Sequence, residues 1–260
     1  MRWRRGTGSP DVIDQRGGRV SGPVALGGGG GIVGLIITLI VVLSSGGGGG
    51  GSGFGGPIPA DQDPDRDLKD FSSYVFTDAQ RFWEDALGDG YRRAQMVLYS
   101  DAVNTGCGSA SSAVGPFYCP ADQRVYLDLS FYRQMARRLR APGDFAWAYV
   151  IAHEVAHHVQ QERGTLRSGG DNEASVRVEL QADCYAGVWA HTVFQAGDLE
   201  PGDIDEAFTA TEAVGDDRLQ REATGSVDPD SFTHGSSEQR RRAFTTGYES
   251  GRPEVCETSG

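Results

Sequence analysis

The stretch Ala148–Gln161, AYVIAHEVAHHVQQ, restricts the folds open to this chain more than any other. It contains His153-Glu154-Val155-Ala156-His157, and in a helix two histidines at i and i+4 share one face. Two imidazoles at that spacing can hold one zinc ion, and Glu154, next to His153, can reach a water beside that metal. The pattern predicts metal-assisted hydrolysis with Glu154 as general base. A fold that uses it must keep this helix rigid, bring a third ligand from another element and leave one metal position open.

The neighbouring residues supply the helix. Ala141-Pro-Gly-Asp144 interrupts the preceding segment, and Asp144 reads as the cap of a helix from Phe145 to about Gln161, ending near Gly164. Trp147, Tyr149, Val150 and Ile151 give it apolar weight on more than one side, as a buried platform requires. His158 points to a different face from His157 and is assigned to packing or surface. His191 has no supporting neighbours. The third ligand is assigned to Glu179, in Val178-Glu-Leu-Gln-Ala-Asp183, on a second helix that begins at an Asn172 cap and stops near Gly197. Asp183 lies one turn on from Glu179. It can accept the second ring N–H of a ligand histidine and fix that ring. The set is therefore His153, His157 and Glu179 at one zinc per chain, Glu154 as base, and Asp183 behind the ligands. Spacing alone does not separate zinc from other divalent ions that accept two histidines and a carboxylate.

The amino-terminal region speaks to compartment. Residues 1–23 carry Arg2, Arg4, Arg5, Arg16 and Arg19 against Asp11 and Asp14, and Val24–Leu43 has no charged residue. About 20 uncharged, largely apolar residues suffice to span a bilayer as a helix, and flanking arginines stay in the cytoplasm. The expected organisation is a basic cytoplasmic N-terminus at 1–23, a transmembrane anchor at 24–45, a Gly-rich flexible linker at 46–70 and an extracytoplasmic zinc metallopeptidase domain at 71–260. A cleaved signal peptide is the alternative use of the same apolar run. The formal net charge of −12 argues against nucleic acid as a partner. Four cysteines in an exported domain favour disulfides, with Cys107–Cys119 and Cys184–Cys256 preferred among three pairings.

The remaining periodicity predicts an α+β domain. Thr77–Gln80 reads as a capping box that opens a helix through Leu87, with Phe76, Phe82, Trp83 and Leu87 on its buried face. Gln95–Val103 and Arg124–Leu129 read as strands, with another short strand within Ala113–Tyr118, giving a small mixed or antiparallel sheet. Further helices are expected at Phe131–Arg140, at Asp203–Val214, and from a Ser236–Gln239 capping box to about Tyr248.

HEVAHHVQ followed by ELQAD resembles the gluzincin arrangement of two histidines and a downstream glutamate. CGSASSAVGPFYCPADQRVYLDLSFY, ADCYAGVWA and THGSSEQRRRAF resemble the bacterial putative neutral zinc metallopeptidase family over about Phe71–Cys256. The resemblance implies a zincin-like fold, zinc, a peptide or protein substrate and an N-terminal membrane segment. It assigns His153, His157 and Glu179 as ligands, Glu154 as base and Asp183 as their support. By analogy with related peptidases, a side chain opposite the glutamate stabilises the tetrahedral oxyanion. His234, in the loop before the last capping box, is the candidate, with Tyr185 and Tyr126 behind it. The same analogy makes the Ala113–Tyr118 segment a sheet edge for an extended peptide.

Three functions follow. The leading one is a membrane-anchored zinc endopeptidase. A zinc-stabilised, non-catalytic envelope binding module is the second, though it has no need of Glu154. The third is an amide hydrolase acting on cell-wall peptides.

Overall fold

The computed structural model describes residues 1–6, 8–17, 58–166 and 171–257. The 24–45 anchor and most of the 46–70 linker lie outside the described residues. Among the described residues no helix is long and apolar enough to cross a membrane.

The described residues pack seven α-helices against a small mixed sheet. In chain order these are β1 (Val12–Asp14), α1 (Arg66–Leu87), β2 (Gln95–Tyr99), β3 (Ala102–Thr105), β4 (Gly108–Ser111), β5 (Phe117–Cys119), β6 (Arg124–Asp128), α2 (Ser130–Gln134), α3 (Asp144–Glu162), α4 (Asn172–Gln195), α5 (Asp203–Ala213), α6 (Asp216–Thr224) and α7 (Ser237–Ser250). The main sheet has the order β1-β2-β6-β5. β1, β2 and β6 run parallel, and β5 lies antiparallel at the far edge. Alternation sorts the two faces. Met96, Leu98, Tyr118, Val125 and Leu127 face the helices. Val97, Tyr99, Phe117, Cys119 and Tyr126 form a second cluster with Val103, under the β3–β4 hairpin.

Helix α3 sits at the centre, buried from Phe145 to Gln160 except for half-buried Val150. Its four alanines, Ala146, Ala148, Ala152 and Ala156, let the sheet, α1, α4 and α5 approach it on all sides. Behind it α4 crosses α7 at a pair of glycines. A Cβ on Gly187 would lie 2.1 Å from the Phe244 carbonyl oxygen, and one on Gly247 1.9 Å from that of Cys184. Cys184–Cys256 ties the chain end to α4, and Cys107–Cys119 ties the β3–β4 turn to β5, the pairings expected from the sequence.

Several boundaries differ from expectation for identifiable reasons. Helix α1 begins at Arg66, so Thr77 is mid-helix rather than a cap. The added turn is held by Ser72, whose hydroxyl donates to the Leu68 carbonyl at 2.7 Å and accepts the Trp147 indole N–H at 2.8 Å. The Gln95–Val103 run breaks because Asp101 adopts φ 65° and gives its N–H to Asp128 at 3.1 Å. The Ala113–Tyr118 segment begins as a helical turn, and pairing starts only at Phe117, after Gly115 at φ 72° and Pro116. Asp144 is the first residue of α3 and does not cap it. Glu206 from α5 does so instead, accepting the Phe145 N–H at 2.9 Å. Asp171, not Asn172, caps α4, accepting the Ala174 N–H at 2.8 Å. The Ser236 capping box forms as expected.

The amino-terminal residues, expected to lie apart from the domain, pack on it. β1 extends the sheet at β2, and Trp3 rests on Phe71 and Tyr74 with ring centroids 5.5 and 6.1 Å away.

Candidate metal centre

The site is built where α3 meets α4. His153 and His157 stand one turn apart with ring centroids 4.7 Å from each other. Glu179 faces both from α4: one carboxylate oxygen is 3.2 Å from His153 Nε2 and the other 3.5 Å from His157 Nε2. All three residues are buried, and one ligand atom from each lies within 4.8 Å of the other two.

The far side of each ring is held by an acceptor. His153 Nδ1 donates to Asp183 at 2.9 Å, and His157 Nδ1 donates to the Gln160 side-chain Oε1 at 2.8 Å. Gln160 is oriented in turn, its amide donating to the Val178 carbonyl at 2.7 Å and to Gln181 at 3.0 Å. A proton fixed on each Nδ1 turns the Nε2 lone pairs towards Glu179, as metal-ligating histidines require. His157 Nε2 is a buried atom without a hydrogen-bond partner. Buried polar atoms are rarely left so, and a cation between the two imidazoles and Glu179 would satisfy it. The residues therefore fit a zinc ion with three protein ligands and a fourth position open.

Electrostatics favour a cation at this point. Burial resists ionisation of Glu179, but His157 and His153, with His234 beyond them, hold its carboxyl well below the usual range. Burial lowers His157 to about 4. Burial acts in the same sense on His153, yet Asp183 and Glu179 outweigh it and raise that ring to about 9. In the metal-free site the extra proton on His153 sits where a cation would bind. Zinc must displace it, so apparent zinc affinity is expected to rise from neutral pH towards about 9. Competition titration against a chelator at several pH values measures this, and an affinity that stays flat over that range contradicts it.

Glu154 is not one of the three convergent residues, but it lines the same pocket as His153. It is fully buried and neither carboxylate oxygen makes a well-formed hydrogen bond; burial, with the Glu179 carboxylate nearby, pushes its carboxyl up to about 7 against His153, Arg240 and the neighbouring Tyr118 backbone amide. Glu154 thus lies beside edge strand β5. A small apolar pocket opens next to His153 and Glu154, walled by Phe131, Met135, Leu139, Val150, Val214 and Pro116.

Beneath the site lies Arg240 of α7, fully buried. Its guanidinium donates to both Asp183 oxygens at 2.8 and 3.0 Å and to the Tyr149 hydroxyl at 3.2 Å. The Tyr149 hydroxyl donates to Asp183 at 2.5 Å. The Gly187–Gly247 crossing brings α7 close enough for this contact.

His234 lies in the loop between α6 and α7 and is buried. Its Nδ1 donates to Asp216 Oδ1 at 3.0 Å, while Asp216 Oδ2 accepts the backbone N–H groups of Thr233, His234 and Gly235 at 2.7, 2.7 and 3.1 Å. Tyr126 lies on the sheet face away from α3 and donates to Asp122 at 2.7 Å. Tyr185 packs against Trp83, with the Arg163 guanidinium over its ring. Neither tyrosine joins the cluster. His158 packs against Tyr118 and the Arg92 carbonyl, and His191 contacts the Tyr248 carbonyl, so both stay outside it.

Sequence reasoning missed Gln160, Arg240 and Asp216. Gln160 follows His157 by three residues, a spacing that could have flagged it. Arg240 opens the run Arg240-Arg241-Arg242, which reads as a solvated face. Asp216 heads a helix of nine residues whose only start signal is Gly215-Asp216-Asp217.

Two buried histidines and a glutamate that could hold a metal ion thus stand beside a buried carboxylate and a pocket. The chain belongs to the family described as putative neutral zinc metallopeptidase, whose model matches residues 1–259. It is 48% identical over 203 residues to the uncharacterized protein YpfJ of Escherichia coli strain K12, covering 73% of this chain and 71% of that protein. It is 47% identical over 192 residues to the uncharacterized proteins Mb2605 of Mycobacterium bovis and Rv2575 of Mycobacterium tuberculosis strain H37Rv, covering 68% of this chain and 65% of each of those. No solved structure matches the chain.

Proposed function

We propose that this protein is a zinc-dependent endopeptidase with His153, His157 and Glu179 as ligands and Glu154 as general base. The observation that carries the reading is the pairing of a three-ligand cluster with a buried glutamate whose two oxygens have no partner. A structural zinc site closes with four protein ligands and has no use for such a carboxylate. Zinc held by these three residues would supply Lewis acidity towards a water and a carbonyl oxygen. Glu154 takes a proton from the attacking water and delivers it to the departing amine as the C–N bond breaks. His234, held by Asp216, steadies the negative charge that develops on the carbonyl oxygen. Asp183 and Gln160 keep the two ligand rings in place.

Edge strand β5 supplies backbone groups for an extended peptide, and the apolar pocket beside Glu154 takes one bulky apolar side chain next to the scissile bond. Two disulfides suit an oxidising compartment and hence an exported domain. Incubating the protein with casein, with unstructured peptides bearing Leu, Phe or Asp at one varied position, and with peptidoglycan, each with and without chelator, tests the reading. Chelator-sensitive cleavage of casein, and of the Leu and Phe peptides in preference to the Asp peptide, is expected. Release from peptidoglycan alone would assign the site to cell-wall amides. Inertness towards all three would favour a binding module.

A further inference from the structure

The amino-terminal residues form a second, separate construction. Met1 is buried, and its ammonium lies 2.9 Å from Asp144, the first residue of the histidine-bearing helix, and 3.2 Å from Asp203, the first residue of α5. Among the described residues, Asp144, Asp203 and Glu206 form a second cluster that could hold a cation, and the ammonium already sits against two of them. The Arg2 N–H donates to the Asp198 carbonyl at 2.7 Å. β1 then pairs with β2 in the register Val12↔Met96, Ile13↔Val97 and Asp14↔Leu98, covering the sheet edge opposite β5.

Two of the arginines that resemble a cytoplasmic topology signal, Arg5 and Arg16, have acidic partners in the domain. Arg5 pairs with Asp67 and with Asp70, the latter at 2.9 Å. Arg16, only 7% exposed, donates to Asp14 at 2.7 Å and to Asp63 at 2.5 Å. A buried guanidinium between two carboxylates is stable only as a complete set, so Arg16, Asp14 and Asp63 hold the segment to the start of α1.

We propose that residues 1–17 are an integral strap of the metallopeptidase domain and lie on the same side of the membrane as the metal centre. A chain with this segment in the cytoplasm and the domain outside could form none of these contacts.

The test places single cysteines at two exposed sites of the full chain, Pro10→Cys and Ser226→Cys, with Arg4→Cys as a second amino-terminal probe. All four natural cysteines are disulfide-bonded, so the unsubstituted chain gives the background. Intact and lysed bacterial cells are labelled with a membrane-impermeant maleimide. The proposal expects the amino-terminal and domain probes to share one pattern, both labelled or both protected before lysis. Opposite patterns overturn it. Thermal unfolding of Arg16→Met reads docking directly: the midpoint should fall by about 5–10 °C. An unchanged midpoint would mean that the segment is not docked.

Discussion

Replacing Glu154 with Gln should lower peptide cleavage by roughly 10²–10⁴-fold while zinc content stays at one ion per chain. The amide matches the carboxylate in size and cannot take a proton from water. Glu154 is not among the three convergent ligands, so the metal should remain, and both its oxygens are unpartnered, so no internal hydrogen bond is lost. Removal of an unpaired buried carboxyl should leave folding intact or slightly improved. Zinc analysis and thermal unfolding of the same preparation distinguish this from damage to the fold. Full cleavage by Glu154→Gln would remove the general base from the account.

Arg240→Met should have the largest effect on stability, a loss of about 3–5 kcal/mol. Methionine fills much of the same volume but leaves Asp183 without its bidentate partner in a fully buried position. Asp183 also accepts from Tyr149 and His153, so the loss should reach the metal. Zinc affinity should fall by roughly 10–100-fold, the usual range for disturbing a group that orients a ligand. Denaturant unfolding and zinc competition read the two effects separately. A companion Arg241→Met variant, at an exposed ion pair with Glu212, should change stability by less than about 1 kcal/mol. Equal effects at the two positions would mean that Arg240 is not the support described.

The candidate metal cluster was legible in the sequence because helical spacing is a local property. His153 and His157 share a face whatever surrounds them, and Glu179 and Asp183 repeat that spacing on the next helix. The supports were less legible because they arrive through tertiary contacts. Arg240 looks like any member of a basic run until the Gly187–Gly247 crossing carries α7 beneath Asp183. Glu206 caps the histidine-bearing helix from across the domain, a contact no local capping rule anticipates. The same holds for the amino terminus. Arg5 and Arg16 read as part of a topology signal because their carboxylate partners, Asp63, Asp67 and Asp70, lie beyond an apolar stretch and a glycine-rich one. Strand limits were missed where a single residue takes a positive φ: Asp101 breaks the run after β2, and Gly115 delays the start of β5.

Anomalous scattering at the zinc edge, from crystals grown with zinc, tests the central claim most directly. The account predicts one strong peak about 2.0–2.2 Å from His153 Nε2, His157 Nε2 and a Glu179 carboxylate oxygen, with no protein atom in the fourth position. A peak at the Asp144–Asp203–Glu206 cluster alone, or a fourth protein ligand closing the site, would contradict it.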